Sequence, residues 1–162
     1  MDTVSETFEL FDKHVPHGHE AFVVLKAQLL VEMRLRNFVK ARISDASLFE
    51  DIFSRDSPVR SGRGLIILAR SLANRDEIQF PTDNIQWKAI DILNNLRNDL
   101  AHVLEPNSDS ITQKMKNFIE AMGRESADTE NLNQQFRSCT LILVGYLGLY
   151  CDPTVPSDFD IF

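Results

Sequence analysis

The sequence predicts an all-α, single-domain bundle of about six or seven helices. Apolar residues recur at steps of three and four along most of the chain, which is the helical period. Only 6 Gly and 6 Pro occur in 162 residues, too few for a turn-rich all-β fold. No pair of alternating runs resembles a strand hairpin. A composition of 43% hydrophobic and 25% charged residues is that of a globular chain. At this length, folding can bury roughly 70% of the unfolded surface. No internal repeat, low-complexity block or linker divides it, so residues 1–151 are expected as one helical domain and 152–162 as an extended tail.

Taken in order, residues Thr3 to His14 form a short amphipathic helix with Val4, Phe8 and Phe11 on one side, ended by Pro16 and Gly18. His14, His17 and His19 straddle that break with no cysteine partner. Loop histidines are the default for such a cluster, ahead of a metal site. The second helix, about His19 to Ile43, is apolar around most of its girth and is expected to lie centrally, buried on two sides. Glu32 and Arg36 stand four apart on it and are expected to pair. Asp45 or Ser47 caps a short helix through Phe53.

The stretch SRDSPVRSGRG follows, with Arg55, Arg60 and Arg63 around Pro58 and two glycines. Such a loop can hold phosphate through N–H groups and guanidinium forks, and the three arginines are candidate RNA contacts. The Lys-Ser/Thr pair of a P-loop is absent, and a solvated connection competes as a reading. GLIILARSLANR forms the fourth helix, with Asn74 placed as a left-handed C-cap.

The stretch Thr82 to Leu104 organises the rest. Thr82 or Asp83 can cap it, and Pro106 and Asn107 stop it. Ile85, Ala89, Ile92, Leu96, Leu100 and Val103 form its expected core stripe. Trp87, Asp91, Asn94, Asn95, Asn98 and His102 fall on the other side at roughly 100° per residue. Asparagine is a poor helix former, because its amide competes for the backbone. A merely solvated face would carry Glu and Lys, so helix stability did not choose these residues. Beyond it, Asp109 or Ser110 caps a helix striped by Ile111, Met115, Phe118, Ile119 and Met122, and Gly123 ends it. The last helix starts at Asp128 or Thr129 and becomes apolar on all sides, which suits burial in the core and against a second subunit. The tail ends in Phe159 and Phe162, which either dock or fray.

The net charge of −7 and pI of about 5.0 argue against extensive non-specific DNA binding but leave room for a local basic site. Cys139 and Cys151 lie about 18 Å apart along one helix, too far to bridge within one chain, and read as two reduced thiols of a cytoplasmic protein. The acidic N-terminus has no apolar stretch of the secretory kind, and TLILVGYLGLY is too short to span a bilayer.

Arg97-Asn98-Asp99-Leu100-Ala101-His102 resembles the Arg-x4–6-His signature of HEPN domains, in which a polar residue follows the arginine. KAQLLVEMRLRNFV resembles the long early helix of bacterial HEPN-like and mannitol-repressor-like proteins. GLIILARSLANR with ILNNLRNDLAHVLEP resembles their paired later helices, so the likeness covers roughly residues 20 to 105. It implies a helical domain that dimerises and sets two motifs at one cleft. It also implies a metal-independent endoribonuclease of defence or toxin type, with Arg97, Asn98 and His102 catalytic, RNA as substrate and an antitoxin or regulatory protein as partner. The tyrosine that follows the histidine in the toxin subgroup is replaced here by Val103-Leu104-Glu105, a departure from that subgroup.

The residues suit the chemistry. RNA cleavage by its own 2′-hydroxyl needs a base near neutrality, and histidine titrates at about 6.5. A guanidinium stabilises the charged phosphate. Asn98 can orient His102 or donate to phosphate, while Asp99 and Glu32 serve as structural supports, Asp99 as an arginine's partner. No Asp/Glu/His cluster has metal-ligand spacing, so no cofactor is expected. Arg97 and His102 stand roughly 140° apart on one helix, so they meet at one phosphate only across two copies or a kink. The competing expectation is a non-catalytic helical module, regulator-like, that works through a protein partner.

Overall fold

In the computed structural model, described over residues 20–77, 85–102, 108–125 and 131–149, the chain is all-helical. Six helices occur among the described residues: α1 Glu20–Arg42, α2 Ala46–Ile52, α3 Gly62–Arg75, α4 Ile85–His102, α5 Ser108–Ala121 and α6 Leu132–Leu149. The expected Thr3–His14 helix, the three histidines, Cys151 and the tail fall outside the described residues.

Helix α1 runs through the centre of the bundle and packs on α3, α4 and α6. Val23, Val24, Ala27, Leu30, Val31, Leu35, Phe38 and Val39 are buried on it, which covers about half its circumference. The opposite side is not buried, although it too is apolar: Leu29 and Met33 are exposed there. The expected burial on two sides thus becomes one broad buried arc. Nor does Glu32 pair with Arg36. Its Oε1 accepts the Gly62 N–H at 3.0 Å and the Gln28 amide at 3.4 Å. A helix N-terminus offers unpaired N–H groups and positive potential, which draw the carboxylate across.

Local signals set the short elements. Asp45 Oδ1 accepts the N–H groups of Ser47 and Leu48, at 2.9 and 3.2 Å, and so caps α2. Ser61 makes no such cap bond for α3, and Glu32 reaches across from α1 instead. At the other end of α3 the left-handed residue is Glu77 at φ 54°, not Asn74, because the helix runs on through Arg75. Asp76 there joins the ends of α1 and α3. Its carboxylate lies 2.7 Å from Arg75 Nε and 3.3 Å from Arg42 Nε.

Helix α5 packs on α4 and α6 through Ile111, Met115, Phe118 and Ile119, as the stripe predicts. It begins at Ser108, slightly before the expected caps, and stops where Gly123 turns left-handed at φ 74°. Helix α6 buries Phe136, Cys139, Leu143, Val144 and Leu147 between α1 and α5. No helix among the described residues is long and apolar enough to cross a membrane.

Candidate functional site

Helix α4 lies against α1, α3 and α5 at once. Three neighbours bury a wider arc than one stripe can supply. Trp87, Ala89, Ile90, Leu93, Asn94 and Leu96 are buried, while Ile92 and Leu100 pack at the edge of the core. The expected stripe is therefore rotated toward Ile90 and Leu93. Trp87 and Asn94, placed by the sequence on the polar face, are core-facing. Hydrophobic spacing alone did not say which neighbours would flank the helix, and two stripes of similar strength were available.

Asp91, Asn95, Asn98 and Asp99 remain on the open side, where two grooves flank the helix. One groove, of about 330 Å³, lies toward α3 and is lined among the described residues by Arg63, Ile67, Arg70, Asp91, Asn94 and Asn95. The other, of about 370 Å³, lies toward α5 and is lined by Ile92, Asn95, Asn98, Asp99, Lys114 and Asn117. Asn95 forms the ridge between them. Each groove holds one internal ion pair. Arg70 Nη2 lies 3.0 Å from Asp91 Oδ2, and Lys114 Nζ pairs with Asp99. The cation on Asp99 is thus a lysine of α5 rather than the expected arginine.

Arg97 is exposed past the last buried turn of α4. Its Nη1 donates to Asn98 Oδ1 at 3.0 Å. Among the described residues no carboxylate pairs with it. Asn98 Oδ1 is thus engaged by Arg97, while the side chain of His102, which Asn98 is expected to orient unless it donates to phosphate, lies outside the described residues. Helix α4 is α-helical without interruption to His102, its last residue, which keeps the roughly 140° between the two positions.

The basic loop divides. Arg63 occupies the first turn of α3 and lines the groove beside α4. Arg55 and Arg60 are exposed on the preceding turns, where Arg60 Nη1 donates to the Arg55 carbonyl at 3.3 Å, and neither lines a groove described above. Gly64 lets this loop approach α3: a Cβ there would overlap the Pro58 carbonyl oxygen. The sequence reading missed Ile67 and Arg70. Arg63, Ile67 and Arg70 follow one another at steps of four and three, the helical signature of one face, and that spacing carries the signal.

Among the described residues no group of three or more His, Cys, Asp or Glu stands together to hold a metal ion. Burial raises the Cys139 thiol above its ordinary pKa, partly offset by the charge of Arg124. Comparison with protein-family models, with curated proteins and with solved structures finds no match for this chain.

Proposed function

We propose that the chain is a metal-independent endoribonuclease of the HEPN type, acting through Arg97, Asn98 and His102 where two copies face one another. The observation that carries this reading is the state of Arg97. It is exposed, held by Asn98 Oδ1 at 3.0 Å, and paired with no carboxylate among the described residues. A guanidinium fixed by a neutral acceptor keeps its full charge for an anion. Arg70, by contrast, lies on the Asp91 carboxylate.

In this mechanism His102 takes the proton of the RNA 2′-hydroxyl. The 2′-oxygen then attacks phosphorus, the bond from phosphorus to the 5′-oxygen breaks, and that oxygen leaves with a proton. The products are a 2′,3′-cyclic phosphate and a 5′-hydroxyl. Arg97 of the facing copy stabilises the charge that develops on the phosphoryl oxygens. An isologous contact between the α4 ends would close the 140° gap.

The test is incubation of the purified protein with single-stranded RNA in EDTA, beside Arg97→Ala and His102→Ala. Cleavage by wild type, lost in both folded variants, supports the reading. Equal activity in all three, or none in wild type, rejects it. Light scattering that finds only monomer at micromolar concentration rejects the facing arrangement.

Leu29 and Met33, exposed on α1, favour a second reading. An apolar helix face in water suits a non-catalytic module that works through a protein partner, in the manner of a mannitol-repressor-like regulator. Inactivity toward RNA would put this reading first.

A further inference from the structure

We infer that the outer face of α1 docks an acidic amphipathic helix of a protein partner, with Leu29 and Met33 as the apolar contact and Lys26, Arg36 and Lys40 as the charges that select it. The inference rests on the second reading above, a chain that works through a protein partner, and names the chemistry of that partner.

The face is narrow and of one composition. Among the described residues of α1, those exposed are Phe22, Lys26, Leu29, Met33, Asn37 and Lys40. They occupy an arc of roughly 80°, opposite the arc that packs on α3, α4 and α6. Phe22 is 61% exposed, Leu29 57% and Met33 36%. None of the six carries a carboxylate, in a chain whose net charge is −7. Acids are abundant in the chain and absent from this one strip.

The cations beside the apolar residues are open to a ligand. Lys26, Arg36 and Lys40 pair with no carboxylate among the described residues. Arg36 Nε is covered from solvent yet donates to nothing among them. Glu32, one turn away, is committed to the Gly62 N–H of α3. Lys40 lies over the Phe49 ring, 5.8 Å from its centroid, which holds its charge at the end of the strip. From Lys26 to Lys40 the charges span roughly 21 Å of helix axis.

Spacing and charge together choose the occupant. Phe22, Lys26, Leu29, Met33, Arg36 and Lys40 follow one another at steps of four and three, the spacing at which one helix meets another along a seam. Apolar side chains of a partner helix fit on Leu29 and Met33, and Glu or Asp on its flanks meet the three cations. A second copy fits badly. The antiparallel pairing that sets Leu29 on Met33 also sets Lys26 against Arg36, and the strip has no carboxylate to relieve them. An anionic bilayer is repelled by the chain's net charge. For a nucleic acid strand, Leu29 and Met33 offer no ring on which a base can stack.

The experiment titrates the full chain with two labelled helical peptides of about three heptads, read by fluorescence anisotropy. Both carry leucine at the seam positions. Glutamate flanks the seam in one peptide and lysine in the other. Two variants accompany wild type: Leu29→Gln with Met33→Gln, and Lys26→Glu with Lys40→Glu. These positions are exposed and the replacements are good helix formers, so both variants keep the fold, which thermal melting checks. The glutamate peptide should bind wild type roughly tenfold tighter than the lysine peptide, or more. The glutamine variant should lose about tenfold of that affinity, and the charge-reversed variant should prefer the lysine peptide. No binding of the glutamate peptide, or unchanged affinity in the glutamine variant, overturns the inference. So does binding to phosphatidylserine vesicles or to single-stranded RNA, or self-association, that the glutamine variant abolishes, because the face then has another occupant. Equal affinity for both peptides, lost in the glutamine variant, overturns the acidic partner and leaves the protein-partner reading standing. Cleavage of RNA by wild type rejects the non-catalytic half of that reading and does not enter this titration.

Discussion

Glu32, in the middle of α1, closes the N-terminus of α3 by accepting the Gly62 N–H at 3.0 Å across thirty positions of sequence. The bond fixes where α3 starts, and with it where Arg63 stands beside α4. Glu32→Ala removes the acceptor and leaves an unsatisfied N–H at a half-buried helix end. Caps of this kind contribute about 1 kcal/mol, so urea unfolding should show a loss of roughly that size. Glu32→Gln keeps an acceptor oxygen and should lose less. Equal stability of all three proteins would show that water replaces the bond at no cost.

Gly64 tests the seat of the basic loop. Its missing Cβ is what admits the Pro58 carbonyl, and a methyl group there also comes within 3.0 Å of Val59 Cα. Gly64→Ala would ordinarily strengthen a helix by nearly 1 kcal/mol. Here the backbone contact reverses the sign, because neither partner is a movable side-chain tip. We expect a net destabilisation of about 1–3 kcal/mol, the usual range for overpacking, together with faster proteolysis after Arg55 and Arg60. A higher melting temperature for Gly64→Ala would contradict the close packing of loop and helix.

Asp76 makes stability depend on pH. The hydrogen bond from Arg75, with the Arg75 and Arg42 charges, lowers its pKa from the ordinary value, while burial opposes the shift. A carboxylate with a depressed folded pKa contributes stability above its unfolded pKa. That contribution is lost as pH falls through the folded value. The window therefore lies below about pH 4. The Arg75–Asp76 pair is open to solvent and screened by it, so the contribution is small. Asp76→Asn should lower stability slightly at pH 7 and narrow its gap to wild type below pH 4. A gap that is constant from pH 7 to pH 3 would remove Asp76 from the account.

Cys139 should be chemically silent in the folded protein. Burial raises its thiol pKa, so the thiolate fraction at neutral pH is smaller than that of a free cysteine, and the side chain is covered by the core. Alkylation with iodoacetamide at pH 7.5, mapped by peptide mass, should leave Cys139 unmodified until denaturant is added. Rapid native labelling at that peptide would show that α6 opens readily.

Much of the architecture was legible in the residues themselves. The stripe of α5 from Ile111 to Ile119, the Asp45 cap and the Gly123 stop are local signals, each fixed by one turn of helix or one backbone angle. The Arg97 and Asn98 adjacency was legible too, because neighbours in sequence are neighbours in space. Glu32 was misassigned for the opposite reason. Its local option, Arg36, stands one turn along the same helix, while its real partner lies on another helix and is a backbone group with no sequence signature.

The sequence by itself determined that the chain is all-helical, where most helices begin and end, and that α4 carries an unusual asparagine-rich face. Those properties follow from periodicity, capping and propensity, which act within a few residues. Only the tertiary structure decided which side of α4 is buried, since that depends on α1, α3 and α5 packing around it together. The same packing sank Asn94 into the wall of a groove and set Arg63, Ile67 and Arg70 opposite it. Such an arrangement arises from the relative rotation of two helices, which no spacing along either one specifies.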